Sequence, residues 1–227
     1  MRVYDGVAVI AARQTSYDGS SRPDCVAVRM NPAIFGSLPS SACTLGTTGG
    51  HGEDRVTRTS YNVAGEVTKI EKAVGTTVAI DDRRLIWTNN GKLSTIKDAL
   101  GNLTSYEYDG HDRLKKTLFP DKANGSVSSS TDYEQFWYDP AGNETQMRKR
   151  DGQLIVSTYD DLNRRTFRDA PGTAQDVTFA YDHFGRRLSA TMAGSTVSFA
   201  YDAQDRVKEE VSAAGTVGYL YDAAGNN

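Results

Sequence analysis

Carboxylates and aromatic side chains that recur along the chain are the first residues that could carry chemistry. The 227 residues include 21 Asp and 12 Tyr, and eight of the Tyr are followed directly by Asp. Paired carboxylates can act as acid and base in glycoside hydrolysis, where a group with a raised pKa works beside an ionised partner. In this chain each such Asp stands once per Tyr-Asp motif, at a predicted turn start where a structural role accounts for it. We therefore expect no enzymatic activity and no catalytic residue.

Two short clusters could be drawn as metal sites, but neither has the spacing of a known site. They are His51, Glu53 and Asp54, and Asp109, His111 and Asp112. Each contains a single His in a Gly-containing, turn-like segment. The glycine-rich stretch 49–52 lacks the Lys-Ser/Thr and the helix pattern that follow in a phosphate-binding loop. We predict surface turns at these places, with no metal and no other cofactor.

Charge and hydropathy exclude several classes of partner. Lys and Arg total 26 against 29 Asp and Glu, so there is no basic excess that would indicate nucleic-acid binding. No stretch approaches the roughly 18 consecutive apolar residues that a membrane-spanning helix needs. At the start of the chain, Asp5 precedes a short apolar run that no small-residue cleavage site follows, so we expect no signal peptide.

Cys25 and Cys43 are the two cysteines, and they stand 18 positions apart in a Gly-, Ser- and Pro-rich stretch. Metal-type spacing is absent. The sequence leaves two interpretations open, a disulfide or two inert thiols, and of these we favour the inert thiols.

The Tyr-Asp motifs recur at a near-constant interval. The last five, from Tyr138 to Tyr221, are 21, 22, 20 and 20 residues apart, and each is followed by two variable residues and then by Gly, Asn or Asp. Because these three residue types best tolerate the left-handed backbone conformation, the position indicates a backbone requirement. The residues that define the repeat are Tyr108, Asp109, Tyr138, Asp139, Gly142, Tyr159, Asp160, Tyr181, Asp182, Gly185, Arg186, Tyr201, Asp202, Arg206, Tyr221, Asp222 and Gly225.

Alternating apolar residues flank the motifs. Val177, Phe179 and Tyr181, for example, share one face of a predicted strand. Each Asp-x-x-Gly segment is predicted to be a hairpin tip whose Asp carboxylate accepts from the backbone two residues on. A second reversal is predicted half a period away, at Gly152, Gly172, Gly194 and Gly215. The sequence therefore predicts an all-β fold, a meandering antiparallel ribbon of β-hairpins with about 20 residues per repeat.

The regularity of the repeats suggests two regions. Residues 1–60 hold degenerate repeats and a Gly-, Pro- and Ser-rich insertion at 30–54, whereas residues 61–227 form the regular array. A smaller insertion at 122–131 lengthens one interval to 30 residues. We expect both insertions to be loops in which disorder could occur. The array breaks off inside a Tyr-Asp turn, so we expect either a fragment of a longer array or the product of a truncated reading frame.

Tyr-Asp-x-x-Gly-Arg units about 20 residues apart resemble the YD repeats of the RHS family, which includes bacterial polymorphic toxins, the C components of Tc toxin complexes and the teneurins. Recognisable copies run from Tyr17 to Tyr221. The resemblance implies a spiralling β-sheet that closes into a hollow shell around a C-terminal toxin polypeptide. It also implies further YD repeats and a core segment as partners, and an extracellular or cell-surface location as part of a larger exported protein. No stretch matches the family's core segment, so no catalytic residue is carried over.

A carbohydrate-binding or adhesive module is the alternative function. Regularly spaced Tyr and Arg could offer stacking platforms and hydrogen-bond donors to a cell-surface glycan; they are Tyr138, Tyr159, Tyr181 and Tyr201 with Arg164, Arg186 and Arg206. The same Tyr, alternating with Val and Phe, are also what a packed sheet would show, and we favour the structural interpretation.

Overall fold

Eighteen β-strands and one short 3₁₀ helix make up the secondary structure of the computed structural model, which describes residues 2–5, 8–172 and 175–226. The chain divides into two compact units, Met1–Thr131 and Asp132–Asn227. These units are separated by which residues contact one another. They do not test the predicted boundary between degenerate and regular repeats at residue 60, which stays a prediction. No helix among the described residues is long and apolar enough to span a membrane.

In the first unit each strand pairs antiparallel with the next one along the chain. The strands are β1 (Arg2–Asp5), β2 (Ala8–Tyr17), β3 (Pro23–Arg29), β4 (Arg55–Tyr61), β5 (Val67–Lys72), β6 (Ile80–Trp87), β7 (Leu93–Asp98), β8 (Leu103–Tyr108) and β9 (Leu114–Pro120), and the 3₁₀ helix is Pro32–Ile34.

The second unit is likewise a meander in which sequence neighbours pair antiparallel. Its strands are β10 (Ser128–Tyr138, which begins before the division), β11 (Glu144–Arg148), β12 (Leu154–Tyr159), β13 (Arg165–Asp169), β14 (Val177–Tyr181), β15 (Arg187–Met192), β16 (Ser195–Tyr201), β17 (Val207–Ser212) and β18 (Gly215–Gly218). The all-β antiparallel fold that the sequence predicts is thus confirmed.

The fourth residue of the Tyr-Asp turns has the left-handed backbone that its residue type predicts. Asp112, Asn163 and Asp205 have φ values of 60°, 61° and 61°, and Gly142 and Gly185 have 92° and 87°. The strand register shifts at the Tyr of each hairpin, as between Ala180 and Tyr181. A tight turn followed by a left-handed bulge residue matches the right-handed twist of the strands it joins.

One of the second reversals is displaced from its predicted position. Gly152, Gly172 and Gly194 have positive φ at chain reversals. Ser212, however, pairs with Gly215, so the turn falls at residues 213–214 and the glycine begins β18.

The insertion at 30–54 is folded, contrary to the expectation of possible disorder, and the favoured interpretation of the two cysteines as inert thiols is wrong. Cys25 and Cys43 form a disulfide with a Cα–Cα distance of 5.2 Å. The insertion brings Ala42 into a small buried cluster with Cys25, Ala27 and Val56 of β3 and β4. Sequence spacing could not show this, because the path of the loop decides which residues meet.

A buried ion pair closes the base of this insertion. The side chains of Arg29 and Asp54 are 0% and 2% exposed, and Arg29 Nη1 lies 2.7 Å from Asp54 Oδ2. Arg29 also donates to Gln14 Oε1 and to the Thr44 carbonyl. Burial alone would raise the pKa of Asp54, but hydrogen bonds from Arg29 and from the Met30 and Gly46 amides hold it below its ordinary value. Asp54 is therefore not the surface turn residue that we expected.

The smaller insertion is partly strand. Residues 128–131 belong to β10, and only residues 121–127 form a loop, because Asp121 and Asn124 accept hydrogen bonds from the backbone there. The serines of this segment suit a strand with a solvated face as well as a loop, so composition did not separate the two.

Buried apolar side chains are few in both units. Among the described residues of the second unit, Ala170 is the buried hydrophobic residue, while Leu162 and Phe184 are 67% and 69% exposed. Burial of apolar area therefore contributes little here, and backbone pairing and the turns contribute correspondingly more.

Removing the disulfide should destabilise the first unit alone. For Cys25→Ala/Cys43→Ala we expect a loss of about 3 kcal/mol in its free energy of unfolding, the magnitude for a closed loop of this length. The measurement is urea unfolding of the full chain followed by residue-resolved hydrogen exchange. Ala190→Gly serves as the control in the second unit, where it should leave exchange in β3 and β4 unchanged. Unaltered exchange in β3 and β4 of the cysteine variant would contradict this prediction.

Candidate functional site

The chemistry-bearing residues of this chain meet at the Tyr-Asp turns, so the row of turns is the candidate functional site. Among the described residues, the one cluster with metal-type side chains is Asp24, Cys25 and Cys43, and its sulfurs are bonded to each other. A thiolate is the form of cysteine that binds metal, so the disulfide leaves this cluster without cysteine ligands. In the second candidate metal cluster, the Asp109 carboxylate instead accepts hydrogen bonds from the amide and the side chain of Arg113 in its own turn.

Each turn is organised around the carboxylate of its Asp. In the hairpin between β14 and β15, Asp182 Oδ1 accepts from the amides of Phe184 and Arg186, both at 2.9 Å. Asp182 Oδ2 accepts from Arg186 Nε at 2.7 Å. The Asp182 amide donates to the Arg186 carbonyl, and the Gly185 amide donates to the Asp182 carbonyl. The same carboxylate–guanidinium pair occurs between Asp18 and Arg22, Asp109 and Arg113, Asp160 and Arg164, and Asp202 and Arg206.

Asparagine replaces the Arg in two Tyr-Asp turns and keeps the bond to the carboxylate. Asn143 Nδ2 donates to Asp139 Oδ2 at 2.8 Å, and Asn226 Nδ2 donates to Asp222 Oδ2 at 3.0 Å. The role of the fifth turn residue is therefore to donate to the Asp, and a positive charge is not required for it.

The turn carboxylates stay ionised. Partial burial would raise the pKa of Asp109, but amide hydrogen bonds from Arg113 and His111 and the Arg113 side chain outweigh this and lower it to about 2. The pKa values of Asp160, Asp182 and Asp202 are lowered in the same way by the Arg of their own turns. A general acid needs the opposite shift, toward neutral pH. These carboxylates are therefore not placed for acid catalysis.

In six of the motifs the tyrosine hydroxyl donates to a backbone carbonyl of the preceding repeat. Tyr181 Oη donates to the carbonyl of Arg165, the first residue of β13, at 2.9 Å. The same hydroxyl-to-carbonyl bond joins Tyr61 to Pro23, Tyr108 to Leu93, Tyr159 to Glu144, Tyr201 to Arg187 and Tyr221 to Val207. Trp87 replaces Tyr in its motif, and its indole Nε1 donates to the Val67 carbonyl at 2.8 Å.

The arginine of one turn packs on the tyrosine of the next motif. The guanidinium carbon of Arg164 lies 4.8 Å from the Tyr181 ring centroid, and Arg164 Nη1 donates to the Asp182 carbonyl. A cation over an aromatic face is attracted by the ring quadrupole. The other stacked pairs are Arg22 on Tyr61 at 4.5 Å, Arg186 on Tyr201 at 4.7 Å and Arg206 on Tyr221 at 4.3 Å.

We call these contacts the cross-repeat ladder. It consists of the hydrogen bond that the Tyr hydroxyl or the Trp indole donates to the preceding repeat, and of the Arg side chain that stacks on the Tyr ring where Arg is present. Sequence reasoning found the motif residues but missed that they join neighbouring repeats. Sequence reasoning also missed the turn from Asp98 to Asn102, in which the Asp98 amide donates to the Asn102 carbonyl. This turn joins β7 to β8 at the end of the strands opposite the Tyr-Asp turns. A search for Asp-x-x-Gly-Asn without the preceding Tyr would have found it.

The ladder does not favour the carbohydrate-binding interpretation. The hydroxyls of Tyr159, Tyr181 and Tyr201 already donate to backbone carbonyls. The rings of Tyr181 and Tyr201 already carry a guanidinium on one face. A sugar that stacked on that face would have to displace these contacts.

Removing a single ladder hydroxyl should cost stability. Tyr108→Phe deletes the bond to the Leu93 carbonyl, and we expect a loss of about 1 kcal/mol in the free energy of unfolding. Tyr106→Phe, two residues earlier in β8, is the matched control and should change stability by less than about 0.5 kcal/mol. Urea unfolding of both variants gives the comparison, and equal losses would show that the hydroxyl bond has no special part in the fold.

Comparisons with known proteins agree with this architecture. A family model described as RHS Repeat matches residues 87–127, which include the turns after Trp87 and Tyr108. No curated protein matches the chain.

Several solved toxin structures have a similar fold. The crystal structure of TcdB2-TccC3-TEV is 16% identical with a TM-score of 0.60, over 96% of this chain and 12% of that chain. The crystal structure of TcdB2-TccC3-Cdc42 is 15% identical with a TM-score of 0.60, over 97% and 12%. A structure of the Photorhabdus luminescens Tc holotoxin pore is 14% identical with a TM-score of 0.60, over 94% and 12%.

At these identities the likeness shows a shared fold, and this chain spans about an eighth of the length of the chains it matches. The chain thus contains an RHS repeat at residues 87–127 and shares its all-β fold with these structures.

Proposed function

We propose that this chain is a structural wall segment of an RHS-type shell that encapsulates a toxin or effector polypeptide for delivery or interbacterial competition. The observation that carries the proposal is the cross-repeat ladder. Its side chains contact their own turn and the neighbouring repeat, which is what an extendable wall requires. The similar solved structures, which include a Tc holotoxin, support a toxin context.

The two faces of the sheet in the second unit differ in a way that suits this function. Phe179 pairs with Ala190, and Ala190 pairs with Val197, so these residues share one face. Together with Val177 and Phe199, which alternate with them, they form the apolar stripe, and all five are only partly buried. The opposite face carries the row Thr178, Thr191 and Thr196. We propose that the apolar stripe contacts the cargo, because an incompletely folded polypeptide exposes apolar side chains.

The disulfide supports an extracellular or cell-surface location. Disulfides such as Cys25–Cys43 persist in oxidising environments and are rare where thiols are kept reduced. Export as part of a larger protein is consistent with this bond. Further YD repeats and a core segment are the partners that such a shell would use.

Binding of an unfolded polypeptide tests the proposed role of the stripe. Phe179→Ser/Phe199→Ser should weaken binding of fluorescent, reduced and carboxymethylated α-lactalbumin several-fold in an anisotropy titration. Thr178→Ala/Thr196→Ala, on the opposite face of the same two strands, is the matched control and should leave the affinity unchanged. Circular dichroism establishes that both variants remain folded. If the wild type binds no unfolded polypeptide, or if both variants weaken binding equally, the stripe is not a cargo surface.

A further inference from the structure

We infer that Asn124, in the loop between β9 and β10, is a site of spontaneous deamidation that the fold itself promotes. The chain has two Asn-Gly sequences, Asn90-Gly91 and Asn124-Gly125. Asn-Gly is the dipeptide in which the following amide nitrogen reaches the side-chain carbonyl with least hindrance, because glycine has no Cβ. The surroundings of the two sites differ, and the difference favours reaction at Asn124.

The reaction needs only water. The Gly125 nitrogen attacks Cγ of Asn124 and forms a C–N bond, while its proton passes to the departing side-chain nitrogen, which leaves as ammonia. The five-membered succinimide that results is opened by water at either carbonyl, which gives aspartate or isoaspartate. Water is added and ammonia is lost, with no change of oxidation state.

The side-chain carbonyl of Asn124 is already polarised. Its Oδ1 accepts from Ser126 Oγ at 2.6 Å and from the Ser126 amide at 3.2 Å. Negative charge develops on this oxygen when the carbonyl is attacked. Two donors held in place before the reaction stabilise such an oxyanion, as they do in acyl-transfer sites.

The attacking Gly125 amide makes no hydrogen bond within the described part of the chain, and a larger side chain at this position would meet the Asn102 side chain. Among the residues the structure describes, none accepts a hydrogen bond from the Gly125 amide. A Cβ at Gly125 would lie 2.2 Å from Asn102 Oδ1, so no larger residue fits without displacing Asn102.

Asn90 should be protected from deamidation, because its attacking amide and its side-chain carbonyl are both placed differently. The Gly91 amide donates to the Thr88 carbonyl at 3.1 Å, so attack would break a hydrogen bond. The Asn90 side chain uses its nitrogen, which donates to Asp112 Oδ1 at 3.0 Å, and the described part of the chain supplies no donor to its oxygen.

Deamidation would release the loop from β8. The Asn124 amide donates to Asp121 Oδ1, so a new carboxylate at position 124 would stand close to that of Asp121. Isoaspartate also lengthens the backbone before Gly125, whose carbonyl accepts from the Leu103 amide at 2.7 Å. We therefore expect the Leu103 amide to lose protection from hydrogen exchange as the product accumulates.

Ageing the full chain at mildly alkaline pH tests the inference. Trypsin places the two sites in separate peptides, residues 85–92 and 123–148, and mass spectrometry follows conversion of each asparagine. The folded chain is compared with the same chain in guanidinium chloride, which gives the intrinsic rates. We expect folding to slow deamidation of Asn90 several-fold. Asn124 should deamidate in the folded chain at least as fast as in the unfolded chain.

Ser126→Ala provides the second arm, since it removes the shorter of the two bonds to Asn124 Oδ1. We expect this substitution to slow deamidation of Asn124 several-fold in the folded chain and to leave the deamidation rate of Asn90 unchanged. If the loop opened instead, the Leu103 amide would exchange faster before any deamidation, and the comparison of folded and unfolded wild-type rates would then decide. Folding that slows both asparagines equally, or an unchanged rate at Asn124 in a Ser126→Ala chain with a protected Leu103 amide, would overturn the inference.

Discussion

The hydrogen bonds to the Asp carboxylate of each Tyr-Asp turn are the constraint on which the rest of the sheet depends. One oxygen of Asp182 accepts from two amides of its turn, and the other fixes the guanidinium of Arg186. That guanidinium then lies over the Tyr201 ring, and the Tyr201 hydroxyl donates to the carbonyl of Arg187, directly after the turn. A local turn is in this way joined to the next one, and the same contacts recur at the next turn.

No single rung of this ladder is strong. Exposed ion pairs typically contribute between zero and about 1 kcal/mol, and a neutral hydrogen bond contributes about 1 kcal/mol. In a repeat protein, however, stability is approximately a sum over units and their interfaces, so modest contributions accumulate. The scarcity of buried apolar residues in the second unit is compatible with stability for this reason. The first unit adds a different device, an insertion held by the Cys25–Cys43 disulfide and the Arg29–Asp54 pair.

Residue type and spacing predict the local part of this structure and fail where distant segments meet. The left-handed backbone at Asn163 and Asp205 follows from the few residue types that tolerate it, so a single position carried the information. The bond between Cys25 and Cys43 depends on the path of the intervening loop, which no short pattern encodes. The acceptors of the tyrosine hydroxyls are backbone carbonyls, so they share no side-chain type: they belong to Pro23, Leu93, Glu144, Arg165, Arg187 and Val207.

The central claim is that the turns are cooperative parts of the sheet and not free loops, and native-state hydrogen exchange tests it most directly. In the wild type, the amides of Asp182 and Gly185 should exchange as slowly as strand amides, because both donate within the turn. In Asp182→Ala, protection should fall in that turn. It should also fall at the amide of Asp202 in the next turn, because Arg186 packs on Tyr201 and pairs with Asp205 there. Turn amides that exchange at the rate of an open loop in the wild type, or an Asp202 amide unaffected by the substitution, would contradict the account.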